Sequence, residues 1–158
     1  MKDRTIRPLL WQAAMLACVL PTLGSAQQAG GEPAEELRPR AAASISIELN
    51  KLEQTSGACH AYFVVENETP HRVAELQIDV FVFDNEGLIL RRIALTFQDI
   101  RANRTKVVIF DLADVACGDI GRLLVNEIIT CTDEKGGALQ GCGDLLTTRA
   151  RAEAEFAY

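Results

Sequence analysis

The chain has 158 residues and a formal net charge of −6, with 24% of its residues charged and only 6% aromatic. That length suits a single domain large enough to bury a core. The acidity opposes nucleic acid and anionic lipid as partners, because both require clustered Lys and Arg.

The first element is a targeting segment. Lys2, Arg4 and Arg7 precede an apolar run from Leu9 to Leu20, followed by Pro21 and the small-residue end Gly24-Ser25-Ala26. A positive n-region, a short h-region and an A-x-A-like end predict a secretory signal peptide over residues 1–26. The apolar run of 12 residues falls short of the roughly 20 that span a bilayer as a helix. There is no twin arginine, so the signal reads as Sec-type. Leu16 stands where a lipobox wants a small residue, which leaves lipid anchoring at Cys18 as the minor alternative. Cleavage after Ala26 leaves 132 residues without Met or Trp and, having removed three basic residues and one acid, a net charge of −8. Residues 27–43, QQAGGEPAEELRPRAAA, hold too few apolar anchors to offset the entropy of ordering and are predicted to be a flexible linker.

From residue 44 to 158 the dominant signal has period two, the alternation of half-buried strands. Ile45, Ile47 and Leu49 alternate with polar residues; Cys59, Ala61, Phe63 and Val65 share one strand face. Ile78, Val80 and Val82 share a face of LQIDVFVFD, with Phe81 and Phe83 on the other. Asp84-Asn85-Glu86-Gly87 supplies turn chemistry, so residues 76–97 read as a hairpin. TKVVIFDL and RLLVNEIITC give two more strands. The final stretch, LTTRARAEAEFAY, is compatible with an edge strand or with a helix. Six or seven short strands separated by turns predict an all-β fold, an antiparallel immunoglobulin-like β-sandwich, with a small barrel as the alternative.

Four cysteines follow the signal: Cys59, Cys117, Cys131 and Cys142. An even number in an exported chain predicts two disulfides, with three connectivities to choose from. Laid out in simple up-and-down order, the strands bring Cys117 back to the end where Cys59 starts the second strand, and the Gly-rich loop TDEKGGALQGCG returns Cys142 to Cys131. This favours Cys59–Cys117 with Cys131–Cys142. Cys59 is adjacent to His60, but neighbours in a strand point to opposite faces, so the pair does not converge on one metal ion or substrate atom.

Other chemistry finds little support. The cysteine spacings contain no C-x2-C, and there is no methionine for a thioether copper site. His60 and His71 could meet across a turn but lack a third ligand. No G-x-S-x-G elbow or phosphate-binding loop occurs. Asp79, Asp84, Asp99 and Asp111 lie on or beside strands, where most such acids are solvated. The sequons at Asn67 and Asn103 are incidental in a chain with a bacterial-type signal. Arg91 and Arg92 sit in mid-strand, so one points outward in either register; Arg91 shares its face with Ile89, Ile93 and Leu95, which implies a snorkelling edge or a buried ion pair and marks an interaction surface.

The runs IELNKLEQTSGACHAYFVVEN and FDLADVACGDIGRLLVNEIITC resemble a group of exported α-proteobacterial proteins, often labelled as Tat-signal proteins, over residues 45–145. Phe110-x-Leu112 and its flanking strands are similar to small Ig-like bacterial domains described by an F-x-L motif. These resemblances imply a periplasmic Ig-like fold and paired cysteines; they imply no established activity and supply no site residues. The expectation for function is a non-enzymatic periplasmic module, without cofactor or metal, that binds a protein partner in the cell envelope through strand edges or loops. The alternative is a small-molecule or carbohydrate binder, or a weak hydrolase, using acids near Asp79 and Asp84.

Overall fold

A computed structural model describes residues 44–158. The signal peptide and linker expected over 1–43 lie outside the described residues. Strands β1 (Ile45–Gln54), β2 (Ala58–Asn67), β3 (Val73–Phe83), β4 (Ile89–Ile100) and β5 (Arg104–Ala113) follow in order. A 3-10 turn (Cys117–Asp119) leads into β6 (Arg122–Thr132), and a four-residue helix α1 (Cys142–Leu145) precedes β7 (Leu146–Ala150) and β8 (Glu155–Ala157). They form two four-stranded sheets, ordered β5-β2-β1-β7 and β4-β3-β6-β8.

Period-two alternation becomes a core because the apolar face of each sheet turns inward. Ile45, Ile47 and Leu49 meet Cys59, Ala61, Phe63 and Val65 on one layer, and Leu76, Ile78, Val80, Val82, Leu95 and Phe97 on the other, all buried. Phe63 lies at the centre. Its ring makes edge-to-face contacts with Phe97, Phe110 and Phe156 at centroid distances of 5.8, 5.8 and 5.4 Å, the arrangement the ring quadrupole favours.

Two expectations are corrected. The strand count is eight, because the final stretch forms two strands and no helix: β7 pairs with β1 and β8 with β6, both in parallel. The sandwich is therefore antiparallel except where its last two strands complete the sheets. The chain also departs from up-and-down order, since β3 leaves the first sheet for the second and β5 returns to the first. The cysteine pairing survives this reordering. Cys59 is bonded to Cys117 and Cys131 to Cys142.

Irregularities set local direction. Register shifts mark Asn50 in β1, Leu90 in β4, and both Asn126 and Ile129 in β6 as extra residues, and such bulges bend a strand and re-aim its side chains. The β3–β4 turn is capped by Asp84, whose Oδ1 accepts from the N–H groups of Glu86 and Leu88 at 2.9 and 2.8 Å. Gly87 takes φ +86° there, a region L side chains avoid. The turn packs so closely on Gly121 that a Cβ on that residue would lie 2.5 Å from the Asp84 carbonyl oxygen.

Candidate interaction site on the β4–β5 side

The residues singled out from sequence fall into three places. The four cysteines are cross-links. Cys59 is fully buried among the core strands, while His60 faces outward, 3.1 Å from Asp111 on β5. Among the described residues, no three of His, Cys, Asp and Glu are grouped as a metal site would need.

The acids have structural partners. Asp79 corrects the expectation of a solvated carboxylate: its side chain is 3% exposed. Arg92 Nε donates to Oδ1 at 2.6 Å and Asn126 Nδ2 to Oδ2 at 3.0 Å. The Arg92 hydrogen bond comes first among the causes that hold this carboxyl below its ordinary pKa. Asn126 is one of the bulged residues of β6, and this position carries its amide beside Asp79. Asp84 is occupied by its own turn, and the structure does not bring the two acids together on one ligand.

Arg91 and Arg92 separate as the alternation requires. Arg92 lies on the outer face, over the Phe81 ring at 5.6 Å and in ion pairs with Asp79 and Glu127. Arg91 faces the partly buried side and crosses to the other sheet, where Nη1 donates to the carbonyl of Ala113 at the end of β5. Near the opposite ends of the same strands, Lys106 Nζ of β5 donates to the carbonyl of Gln98 in β4. Two long cations thus clasp the adjacent edge strands and occupy carbonyls that an added strand could otherwise use. The bulge at Leu90 breaks the regular edge further, a common way to guard a sheet margin.

The unforeseen feature is the apolar character of this side. Exposed large hydrophobic residues among those described are Leu88, Ile89, Leu90, Val107, Ile109, Ile129 and Tyr158, and five of these seven lie on β4, on β5 or immediately before β4. Val107 and Ile109 lie opposite Val64 and Tyr62 of β2 on the outer face of the first sheet. Leu90 opens onto a cleft of about 410 Å³, shared with Arg91, Asp114, Val115, Ala116 and Asp119. In sequence, LIL resembles any buried strand. Its position at the start of an edge strand exposes it, and that follows only from the sheet order.

These features define a disulfide-linked, two-layer β-sandwich whose candidate site is a side-chain surface. The fold is similar to that of IrmA from Escherichia coli, with a TM-score of 0.51 and 18% identity over 68% of this chain and 92% of that one. At that identity the likeness is one of fold. No family model and no curated protein sequence matches the chain.

Proposed function

We propose that this protein is an exported, non-enzymatic binding module that docks a protein partner on the β4–β5 side of its sandwich. The observation that carries the reading is the gathering of Leu88, Ile89, Leu90, Val107 and Ile109 on two neighbouring edge strands. Leu88, Ile89 and Leu90 form one consecutive run at the start of β4, and Val107 and Ile109 lie further along the same side on β5; exposed apolar surface gathered on one side supports an interaction site there. The clasps from Arg91 and Lys106 favour docking through side chains over strand addition. Engagement of Asp79 by Arg92 and Asn126, and of Asp84 by its turn, argues against the hydrolase alternative.

Export has separate support. Two disulfides form and persist in oxidising compartments, which agrees with the signal read over residues 1–26 and with the resemblance to exported α-proteobacterial proteins. A periplasmic location follows from combining the three.

Capture from a cell-envelope extract tests the reading, with partners identified by mass spectrometry. A partner held by the wild-type protein is expected to be lost with Leu90→Asp and with Ile109→Asp, but kept with Thr147→Asp on the far edge of the first sheet. Retention by both apolar-to-acid variants would overturn the assignment of this side.

A further inference from the structure

The cleft at Leu90 carries information about what docks there. Its lining combines the apolar Leu90, Val115 and Ala116 with the carboxylates of Asp114 and Asp119. Neither carboxylate takes part in an ion pair or side-chain hydrogen bond among the described residues, although nearly all the acids on the sheet faces do. The cation in the lining, Arg91, is turned toward the Ala113 carbonyl. Glu86 adds another acid in the hairpin turn just before Leu88. The lining thus mixes apolar and polar groups and carries two carboxylates against the single Arg91 cation, a net negative charge, beside three consecutive exposed aliphatic side chains.

We propose that this cleft receives a Lys or Arg side chain of a partner polypeptide, with the apolar neighbours of that residue covering Leu88, Ile89 and Leu90. This rests on the reading of the β4–β5 side as a docking surface and specifies the chemistry of the partner segment. The long aliphatic stem of a Lys or Arg can lie on Leu90 and Val115 while its charge reaches Asp114 and Asp119. Desolvating aliphatic side chains supplies affinity, and charge pairing at the rim supplies selectivity and a faster encounter. An acidic peptide or an anionic lipid surface would meet like charge at the same place.

The bulge at Leu90 has a role in this arrangement. It places one residue of β4 out of register, between Val82↔Arg91 and Phe83↔Ile89, so the Leu90 side chain opens onto the cleft instead of continuing the alternation.

The test is peptide display selected against the intact, disulfide-bonded protein, in parallel with an Asp114→Asn/Asp119→Asn variant. Asp114 has φ +59°, a left-handed conformation that Asn also tolerates, so the variant preserves the backbone while removing the charge. Selection on the wild-type protein is expected to enrich segments in which Lys or Arg is flanked by aliphatic residues. The best of these should bind the variant at least ten-fold more weakly and lose most of its salt dependence. Amide shifts at Leu88–Leu90 and Val115–Ala116 should locate it. Enrichment of acidic or uncharged segments, equal affinity for the variant, shifts on another face, or no enrichment at all would each overturn the proposal. If envelope capture depends on Leu90 and Ile109 but ignores Asp114→Asn/Asp119→Asn, the docking surface stands and only the charge assignment fails.

Discussion

Nε of Arg149 lies 2.6 Å from Oε2 of Glu48, joining residues 101 positions apart across the parallel β7–β1 pair. Glu48 is on the outer face of its sheet, yet its side chain is only 5% exposed. Arg149 and Arg151 cover it, and Asn50 Nδ2, on the bulged residue of β1, donates to Oε1 at 2.7 Å. Glu66 accepts from Arg149 Nη2 at 3.0 Å and extends the network to β2. The pairing adds a polar anchor to the C-terminal stretch, whose apolar contribution to the core is Leu146, Ala154 and Phe156.

The same carboxylate makes stability sensitive to acid. The Arg149 hydrogen bond is the first cause, and that of Asn50 the second, lowering the Glu48 pKa from 4.5 to about 2. A carboxyl with a lower pKa in the folded state stabilises fully above its unfolded value and loses that contribution as pH falls through the folded one. Melting temperature should therefore fall as pH goes from about 4.5 to about 2, with Glu48 responsible for roughly 1–3 kcal/mol of the change. Glu48→Gln should flatten the profile in this window. A wild-type acid profile retained by that variant would show that Arg149 does not hold the carboxyl in solution.

The two disulfides should differ in effect. They close separations of 58 and 11 residues, contributing about 4 and about 3 kcal/mol on the chain-entropy model. Cys59→Ala/Cys117→Ala should cost more than Cys131→Ala/Cys142→Ala, also because Cys59 is wholly buried. Urea unfolding of both double variants, beside the wild-type protein with and without reductant, checks the order. An unchanged transition on reduction would count against structural bridges.

Asn67 is a buried latch, 1% exposed. Its Nδ2 donates to the carbonyls of His71 and Ile100 at 2.8 and 3.2 Å, and its Oδ1 accepts from the N–H and hydroxyl of Thr69 at 2.9 and 2.7 Å. Asn67→Ala removes four hydrogen bonds, of which the Thr69 hydroxyl can make good only its own by donating to the His71 carbonyl at 3.0 Å, and should destabilise by about 2–4 kcal/mol. Denaturant titration measures this directly; a loss below about 0.5 kcal/mol would mean that water replaces the side chain.

Phe63 should be the costliest single core truncation. Its ring joins Phe97 and Phe110, from the second and first sheets, with Phe156 of β8. Phe63→Ala is expected to lose about 3–5 kcal/mol, and Phe156→Ala less, because β8 is a three-residue edge strand. The reverse order in thermal melts would place the packing centre at the sheet margin.

Much of this architecture is legible in the sequence wherever local alternation decides it. Ile45-Ser-Ile47 and Cys59-His-Ala61 state their buried faces directly, and the cysteines pair as strand geometry suggests. Partners distant in sequence decide the remainder. Nothing near Asp79 announces Asn126, which reaches it through a bulge 47 residues further on. Residues 146–157 read equally as helix or strand until Glu48 and the open edge of β6 choose for them. Leu88-Ile89-Leu90 looks like core, and only the strand order β4-β3-β6-β8 shows it to be a margin. That margin was foreshadowed solely by Arg91 and Arg92.

The parallel placement of β7 beside β1 and β8 beside β6 has a consequence for biogenesis. A nascent chain halted before residue 146 leaves β1 and β6 without their last partners; β7 completes the first sheet at residue 150, and β8 completes the second at residue 157. Until then β1 and β6 are the margins of three-stranded sheets, the kind of unpaired edge that a chaperone can shield. Both sheets therefore gain their last strand only from the C-terminal segment, the first from β7 and the second from β8.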